Sequence, residues 1–256
     1  MKHPTHEALR RLRLYGMAHG LEDLERQPER SQLSFDDQLA LLVERETAER
    51  ANTALASRLK RARLRQTACL EDRDWRTPRG LDRTLVRDLA SCRWVREHQP
   101  LLVTGPTGIG KTFVACALGN QAAREGYGVF HTRLTRLLDD LATARLAGPR
   151  RLARLEVLII DDWAMTELTA AQRLDLMEVI DDRHDRAATV LATQIPVANW
   201  HRSEMPLTPM RSWTALFTAH CASNSRASPC AGYGRQTRSQ LNLYRHRGTT
   251  GHTSIR

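Results

Sequence analysis

A stretch near the middle of the chain has the residue types and spacing that could hold the phosphates of a nucleotide. An apolar run ending at Val103 leads into a segment that fits G-x-x-x-x-G-K-[ST] at every fixed position. In order, the segment is Gly105, Pro106, Thr107, Gly108, Ile109, Gly110, Lys111 and Thr112. Glycines let successive backbone N–H groups point at a phosphate, and a helix N-terminus with the Lys111 ammonium adds positive charge. The Thr112 hydroxyl is a suitable Mg²⁺ ligand, so the stretch predicts a nucleoside triphosphate site.

A second stretch, which is acidic, could complete that site. The apolar run that begins at Val157 ends in Asp161 and Asp162. We predict that Asp161 holds Mg²⁺ together with Thr112, and that Asp162 polarises an attacking water. The alternative is an ordinary buried strand with two acids at its solvent end.

The elements around these motifs alternate in type from residue 101 onward, which predicts a parallel α/β sheet. The predicted strands are 101–104, 127–132, 156–161 and 188–193, and the predicted helices are 112–124, 133–146 and 169–184. Thr169 is the predicted N-cap of the last helix. Upstream, apolar spacing predicts one amphipathic helix over 6–27 and another from Ser34 toward Leu64.

The chain is thus expected to be an α/β P-loop nucleotide-binding protein with three parts. They are an N-terminal helical domain that binds DNA or a partner (1–70), the nucleotide-binding core (71–201) and a basic tail (202–256). No apolar run is long enough to span a membrane, and the first residues lack the apolar core of a secretory signal, so we expect a cytoplasmic protein. The five cysteines are spaced unlike a zinc site or a disulfide framework.

The positive charge is unevenly distributed. Most of the net charge of +10 lies in residues 201–256, which contain eight arginines and one acid. A second basic run, at the end of the predicted Ser34–Leu64 helix, consists of Arg58, Lys60, Arg61, Arg63 and Arg65. Such a run could contact the phosphates of double-stranded DNA without reading its sequence, or could be a solvated helix face. Charge alone leaves both interpretations open.

Taken together, the motifs resemble the IstB family, the DnaC-like AAA+ ATPases that assist the transposases of bacterial insertion sequences. The similar segments are 59–64, 80–83, 101–112, 158–163, 193–197 and 200–201. The resemblance implies an AAA+ core that uses ATP and Mg²⁺, with Lys111 and Asp162 in catalysis and Gln194 as a sensor near the γ-phosphate. It also implies homo-oligomers that form with ATP and DNA, and delivery of target DNA to the transposase of the same element.

The resemblance ends after His201. The family continues with a helix bearing an arginine that acts in trans on a neighbouring subunit's ATP. Here the sequence has low apolar content, one-signed charge and scattered Gly and Pro, which predicts disorder over 202–256. One hypothesis is a frameshift in the gene, and the alternative is a genuine basic tail that binds nucleic acid. In either case we expect ATP binding to survive better than hydrolysis.

Two other functions share the same motifs. A DnaC-type loader of a replicative helicase would have the same core and a different partner. A truncated remnant could bind nucleotide or DNA without hydrolysis.

Overall fold

The structure is a computed structural model that describes residues 4–28, 32–72, 83–143, 152, 154–163, 168–195 and 242–245. In chain order the elements are α1 (Pro4–Arg11), α2 (Tyr15–Arg26), α3 (Phe35–Ala62), α4 (Arg83–Ala90), α5 (Arg93–Arg96), β1 (Leu101–Thr104), α6 (Lys111–Arg124), β2 (Val129–Arg133), α7 (Leu134–Thr143), β3 (Val157–Trp163), α8 (Ala170–Arg183), β4 (Ala188–Thr193) and β5 (Asn242–Arg245). The chain divides into two compact units between Arg58 and Leu59, inside α3. No helix within these ranges has the length and apolar character needed to cross a membrane.

The second unit is built on a five-stranded sheet in the order β2-β3-β4-β1-β5. The β2–β3, β3–β4 and β4–β1 pairs are parallel, and β5 pairs antiparallel with β1. The predicted parallel α/β fold is therefore confirmed, with β1 and β4 at their predicted bounds and the other boundaries within two residues. Residues 144–146 of the predicted helix after β2 lie outside the described residues.

The pleat of β3 sends alternate side chains to opposite faces of the sheet. Leu158 and Ile160 belong to the main core with α7 and α8. Ile159 faces the other way, toward α6, where a Cβ added to Gly119 would lie 2.7 Å from Ile159 Cδ1. Asp161 follows the alternation of Ile159, so its carboxylate is placed on the face that α6 covers.

Helix α8 begins at the predicted cap. The Thr169 hydroxyl accepts a hydrogen bond from the Gln172 N–H, and the Gln172 side chain accepts one from the Thr169 N–H. This reciprocal pair is a capping box, which satisfies two of the N–H groups that a helix leaves without intrahelical partners. The prediction of Thr169 as the N-cap is confirmed.

The prediction of a single helix over 6–27 is wrong, because the chain breaks between α1 and α2. Arg13 has a left-handed backbone with a φ of 60°. The Met17 N–H, in the first turn of α2, donates 3.1 Å to the Glu46 carboxylate of α3. Gly16 allows this approach, since a Cβ there would lie 2.6 Å from Glu46 Cα. An interaction with α3 therefore sets the start of α2, and local apolar spacing could not reveal it.

Four residues of the segment predicted to be disordered form a strand, since β5 pairs with β1. The remainder of 202–256 lies outside the described residues, as do the family-like segments at 80–82 and 196–201.

One buried arginine joins α8 to the strands around it. Arg183 is 1% exposed, and its guanidinium donates to the carbonyls of Leu152, Leu155 and Ala188 and to the Thr189 hydroxyl. Burial lowers the pKa of Arg183 to about 10, so the side chain stays protonated at neutral pH. These bonds connect the segment before β3, the end of α8 and the start of β4.

Replacing Arg183 with methionine should destabilise the second unit, because the carbonyls lose their donors while remaining buried. We expect a loss of about 3 kcal/mol, seen as a fall in Tm of about 6–12 °C. Thermal unfolding followed by circular dichroism measures it. The matched control is Arg186→Met, an exposed arginine in the turn after α8. Equal melting of the two variants would contradict this role of Arg183.

Candidate nucleotide site

The loop between β1 and α6 has the backbone conformation that its glycines permit. Gly108 and Gly110 have φ values of 81° and 99°, in a region that side-chain-bearing residues rarely adopt. Gly110 is the N-cap of α6, and Lys111 is its first residue. The Lys111 ammonium folds back over the loop and donates 2.8 Å to the carbonyl of Pro106. The loop, a helix N-terminus and a lysine are therefore gathered at the carboxyl end of β1.

The end of β3 is joined to this loop by a direct hydrogen bond. Thr112 Oγ1 donates to Asp161 Oδ2 at 2.7 Å, and the backbone N–H of Asp162 donates to Asp161 Oδ1 at 2.9 Å. Asp161 is only 1% exposed. Both carboxylate oxygens are thus oriented by named donors, beside the hydroxyl predicted to share the metal.

Two further nitrogen-bearing side chains lie near the same oxygen. His131 Nε2 is 3.8 Å and Arg65 Nη1 is 3.9 Å from Asp161 Oδ2. Burial raises the pKa of Asp161, but His131, the Thr112 hydroxyl and the Asp162 N–H together lower it below its usual value. The carboxyl group is therefore ionised at neutral pH, as a metal ligand must be.

For Lys111 the effect of burial on the pKa outweighs that of the neighbouring charges, so its pKa is lowered. Burial lowers its pKa, and the charges of Asp161 and Asp162 act against that effect. A buried ammonium whose nearest hydrogen-bond acceptor is a neutral carbonyl is suited to an anion, since a phosphate would provide the charge-assisted partner that the carbonyl does not.

Asp162 occupies a bulge at the strand end. Its φ is 56°, and the pairing of β3 with β4 shifts register between Ile160 and Trp163. The Asp162 carboxylate lies 3.6 Å from Arg133 Nε of β2, and both side chains are partly exposed. A bulge of this kind re-aims a side chain beside a functional site. The predicted role of Asp162 in polarising water stays a prediction.

Gln194, the predicted sensor, follows β4 and lies against the loop. Its side-chain carbonyl accepts a hydrogen bond from the hydroxyl of Thr107. The neighbouring Thr193 is fully buried and instead donates to the Trp163 carbonyl at 2.7 Å. The structure thus brings Gln194 to the loop while Thr193 joins β4 to the end of β3.

The basic run of Arg58, Lys60, Arg61, Arg63 and Arg65 does not form a uniform surface. The Arg63 guanidinium lies 5.8 Å from the centroid of the Phe130 ring, in cation–π geometry. Arg65 lies beside Asp161, as described above. Lys60 and Arg61 are exposed. Part of the run therefore belongs to the nucleotide-binding core, and part points to solvent.

The residues at this site fit a magnesium nucleotide. Thr112 and Asp161 offer the oxygen ligands that Mg²⁺ prefers. Lys111 and the open backbone of the loop offer cations and N–H donors to phosphates. His131 Nε2 is buried and has no hydrogen-bond partner among the described residues, an exception that a bound ligand, ion or water would explain.

The strand order, the glycine loop after β1 and the acidic end of β3 define a P-loop nucleotide-binding protein of the AAA+ type. The sequence model of one family, described as "IstB-like ATP binding protein", matches residues 7–205. The chain belongs to that family. The match covers the loop and both acidic residues and ends near the point where the resemblance in sequence was expected to stop.

Several relatives agree with this assignment. The chain is 46% identical to the protein named as the ATP-binding protein of insertion sequence IS1162 from Pseudomonas fluorescens, over 77% of this chain and 87% of the relative. It is 41% identical to the insertion sequence ATP-binding protein y4pL of Sinorhizobium fredii, over 78% and 84%. It is 39% identical to the ATP-binding protein Rv3427c, in an insertion sequence of Mycobacterium tuberculosis, over 69% and 72%.

Solved structures with some similarity are much more distant. DnaI superposes with a TM-score of 0.46 and 16% identity, over 62% of this chain and 85% of DnaI. The DnaC helicase loader gives a TM-score of 0.39 and 20% identity, over 48% and 77%. Similarity at this level does not bear on function.

Sequence reasoning missed three side chains near Asp161 and Asp162. In sequence, Arg65 is one member of the basic run, and His131 and Arg133 have no motif around them. His131 stands near the carboxyl end of the predicted strand 127–132 and Arg133 directly follows that strand, at the edge where such sheets bind ligands. Their position at this edge is the one feature of the sequence that could have marked them as site residues.

Two substitutions should separate phosphate binding from metal binding. Lys111→Ala should lower the affinity for ATP about 10- to 100-fold with or without Mg²⁺, because the ammonium acts on the phosphates directly. Thr112→Val keeps the side-chain shape and removes the hydroxyl, so it should abolish only the gain in affinity that Mg²⁺ gives. Titration of a fluorescent ATP analogue in Mg²⁺ and in EDTA measures both. Equal losses for Thr112→Val in the two buffers would contradict this assignment.

Proposed function

We propose that this chain binds ATP with Mg²⁺ at the loop of residues 105–112 and assists the transposition of an insertion sequence. The observation that supports the proposal most directly is the hydrogen bond from Thr112 to Asp161, which joins the phosphate-binding loop to a buried, ionised carboxylate. Relatives named as insertion sequence ATP-binding proteins support the biological setting.

Each side chain of the site then has a defined task. Backbone N–H groups of the loop and the Lys111 ammonium bind the phosphates, and Thr112 and Asp161 hold the metal. Magnesium, when bound, would neutralise phosphate charge and fix the geometry of the transferred group. Asp162 orients water at the strand end, and Gln194 lies beside the loop where it can respond to the terminal phosphate.

We expect this chain to bind ATP well and to hydrolyse it slowly. In the family, an arginine from a neighbouring subunit acts on the ATP, and such a residue is worth about 10³- to 10⁵-fold in rate. The family match ends at residue 205, before the segment expected to provide it. We therefore infer that the chain binds ATP and assembles on DNA, with slow turnover.

The contrast between binding and turnover can be measured directly. We expect the chain to bind ATP but to hydrolyse it at a rate that double-stranded DNA barely stimulates. Replacing residues 206–256 with the C-terminal segment of the Pseudomonas fluorescens relative should raise DNA-stimulated turnover by about 10³-fold or more, because we expect that segment to carry the arginine that acts in trans.

The same graft with alanine at each of its arginines is the control and should remain slow. DNA-stimulated turnover in the unaltered chain that equals that of the graft would contradict the inference. Capture by an insertion-sequence transposase, in preference to a replicative helicase, tests the partner separately.

DNA binding should depend on the solvent-facing part of the basic run. The double variant Lys60→Glu, Arg61→Glu should bind duplex DNA more weakly, because two DNA phosphates are no longer neutralised by the protein. The slope of log affinity against log salt should fall by about two, one for each of these phosphates. Fluorescence anisotropy with a short random-sequence duplex at several salt concentrations measures it.

A matched control reverses two exposed arginines elsewhere, Arg136 and Arg154, with the same change in net charge. If both double variants lower the salt slope equally, the effect comes from overall charge and the basic run is a solvated surface. Thermal melting of each variant verifies that it folds.

A further inference from the structure

His131 is the buried polar side chain that the assigned roles leave unexplained. It lies on β2, and its side chain is only 5% exposed. Its Nε2 atom has no hydrogen-bond partner in the described part of the chain. A buried polar group without a partner costs about 1–3 kcal/mol, so its presence here calls for a physical reason.

The sheet directs this side chain to the metal side of the site. On β2, Phe130 packs against the main core, whereas Val129 lies next to α6, within 3.3 Å of a Cβ added at Gly119. His131 therefore shares the α6 face with Val129, and β2 is the parallel neighbour of β3. Nε2 of His131 comes within 3.8 Å of Asp161 Oδ2 across that pair of strands.

The distance defines what the imidazole can do. At 3.8 Å the contact is beyond a direct hydrogen bond, and a small rotation of either side chain would close it. The carboxylate already has Thr112 on Oδ2 and the Asp162 N–H on Oδ1, and His131 lies beside Oδ2 as well. Thr112 of α6 and the Asp162 N–H of the strand end therefore hold the carboxylate directly, and His131 of β2 lies close enough to add a third donor.

We propose that His131 is a positioning residue for the magnesium site: through its Nε2–H it fixes the orientation in which Asp161 faces the metal. The proposal rests on the proposed ATP and Mg²⁺ site and adds to it a residue that sequence motifs do not mark. Residues behind a metal ligand typically contribute 10- to 100-fold to metal affinity or activity. Arg65 approaches the same oxygen from a half-exposed position, where solvent weakens its effect.

The test compares three substitutions by their effect on the magnesium-dependent gain in ATP affinity. His131→Leu removes the donor, His131→Asn places an amide near the position of Nδ1, and His131→Gln places one near the position of Nε2. We expect Leu and Asn to reduce the gain about 10- to 100-fold while affinity in EDTA stays the same, and Gln to retain most of it. Binding of a fluorescent ATP analogue in Mg²⁺ and EDTA gives the ratio without any hydrolysis.

Different results would refute the proposed ATP and Mg²⁺ site and the positioning role of His131. Wild-type chain that binds no ATP, or Thr112→Val that keeps the full magnesium gain, would refute the proposed site. If the wild type and Thr112→Val behave as expected, an unchanged gain in His131→Leu overturns the positioning role. The positioning role is also overturned if His131→Leu and His131→Gln lose the magnesium gain equally, or if ATP affinity falls as much in EDTA as in Mg²⁺. Either result would reflect altered packing of the strand. Thermal melting verifies that all variants are folded.

Discussion

The hydrogen bond between Thr112 and Asp161 is the interaction on which the arrangement of this site depends. The two residues come from elements that are not neighbours in the sheet, since β4 lies between β1 and β3. Parallel strands that end at one edge bring their last residues together, and the helix that follows β1 begins at the same edge. The register of β1, β4 and β3 therefore determines whether a hydroxyl and a carboxylate can share a metal.

Burial of the Asp161 charge imposes a second requirement. An isolated carboxylate at 1% exposure would be too costly to keep ionised. The protein compensates with donors and cations from four places: α6, the bulge at the end of β3, β2, and the basic run before the core. The same groups that stabilise the charge also orient the carboxylate, as the proposed metal site requires.

The sequence predicted the elements whose signal is local. The glycine loop, the acidic end of β3 and the Thr169 cap each depend on a few adjacent residues, and each lies where it was expected. The break between α1 and α2 and the placement of His131 were not predictable in this way. The first depends on the approach of Gly16 to Glu46 in another helix, and the second on β2 being the neighbour of β3.

The basic run illustrates the same limit. Five positive charges read alike in sequence, yet Arg63 lies over an aromatic ring and Arg65 lies beside the candidate metal ligand. Only the folded chain distinguishes these from Lys60 and Arg61, which face solvent. The run therefore joins the exposed residues proposed to contact DNA to the candidate nucleotide site, over a few residues of chain.

A crystal structure of this chain with Mg²⁺ and a non-hydrolysable ATP analogue would show directly whether the nucleotide binds at the loop of residues 105–112. We expect phosphates within hydrogen-bonding distance of the loop N–H groups and Lys111, and a metal about 2.0–2.1 Å from the Thr112 hydroxyl, with Asp161 beside it. A nucleotide bound elsewhere, or a metal that contacts neither Thr112 nor the surroundings of Asp161, would contradict the proposed site.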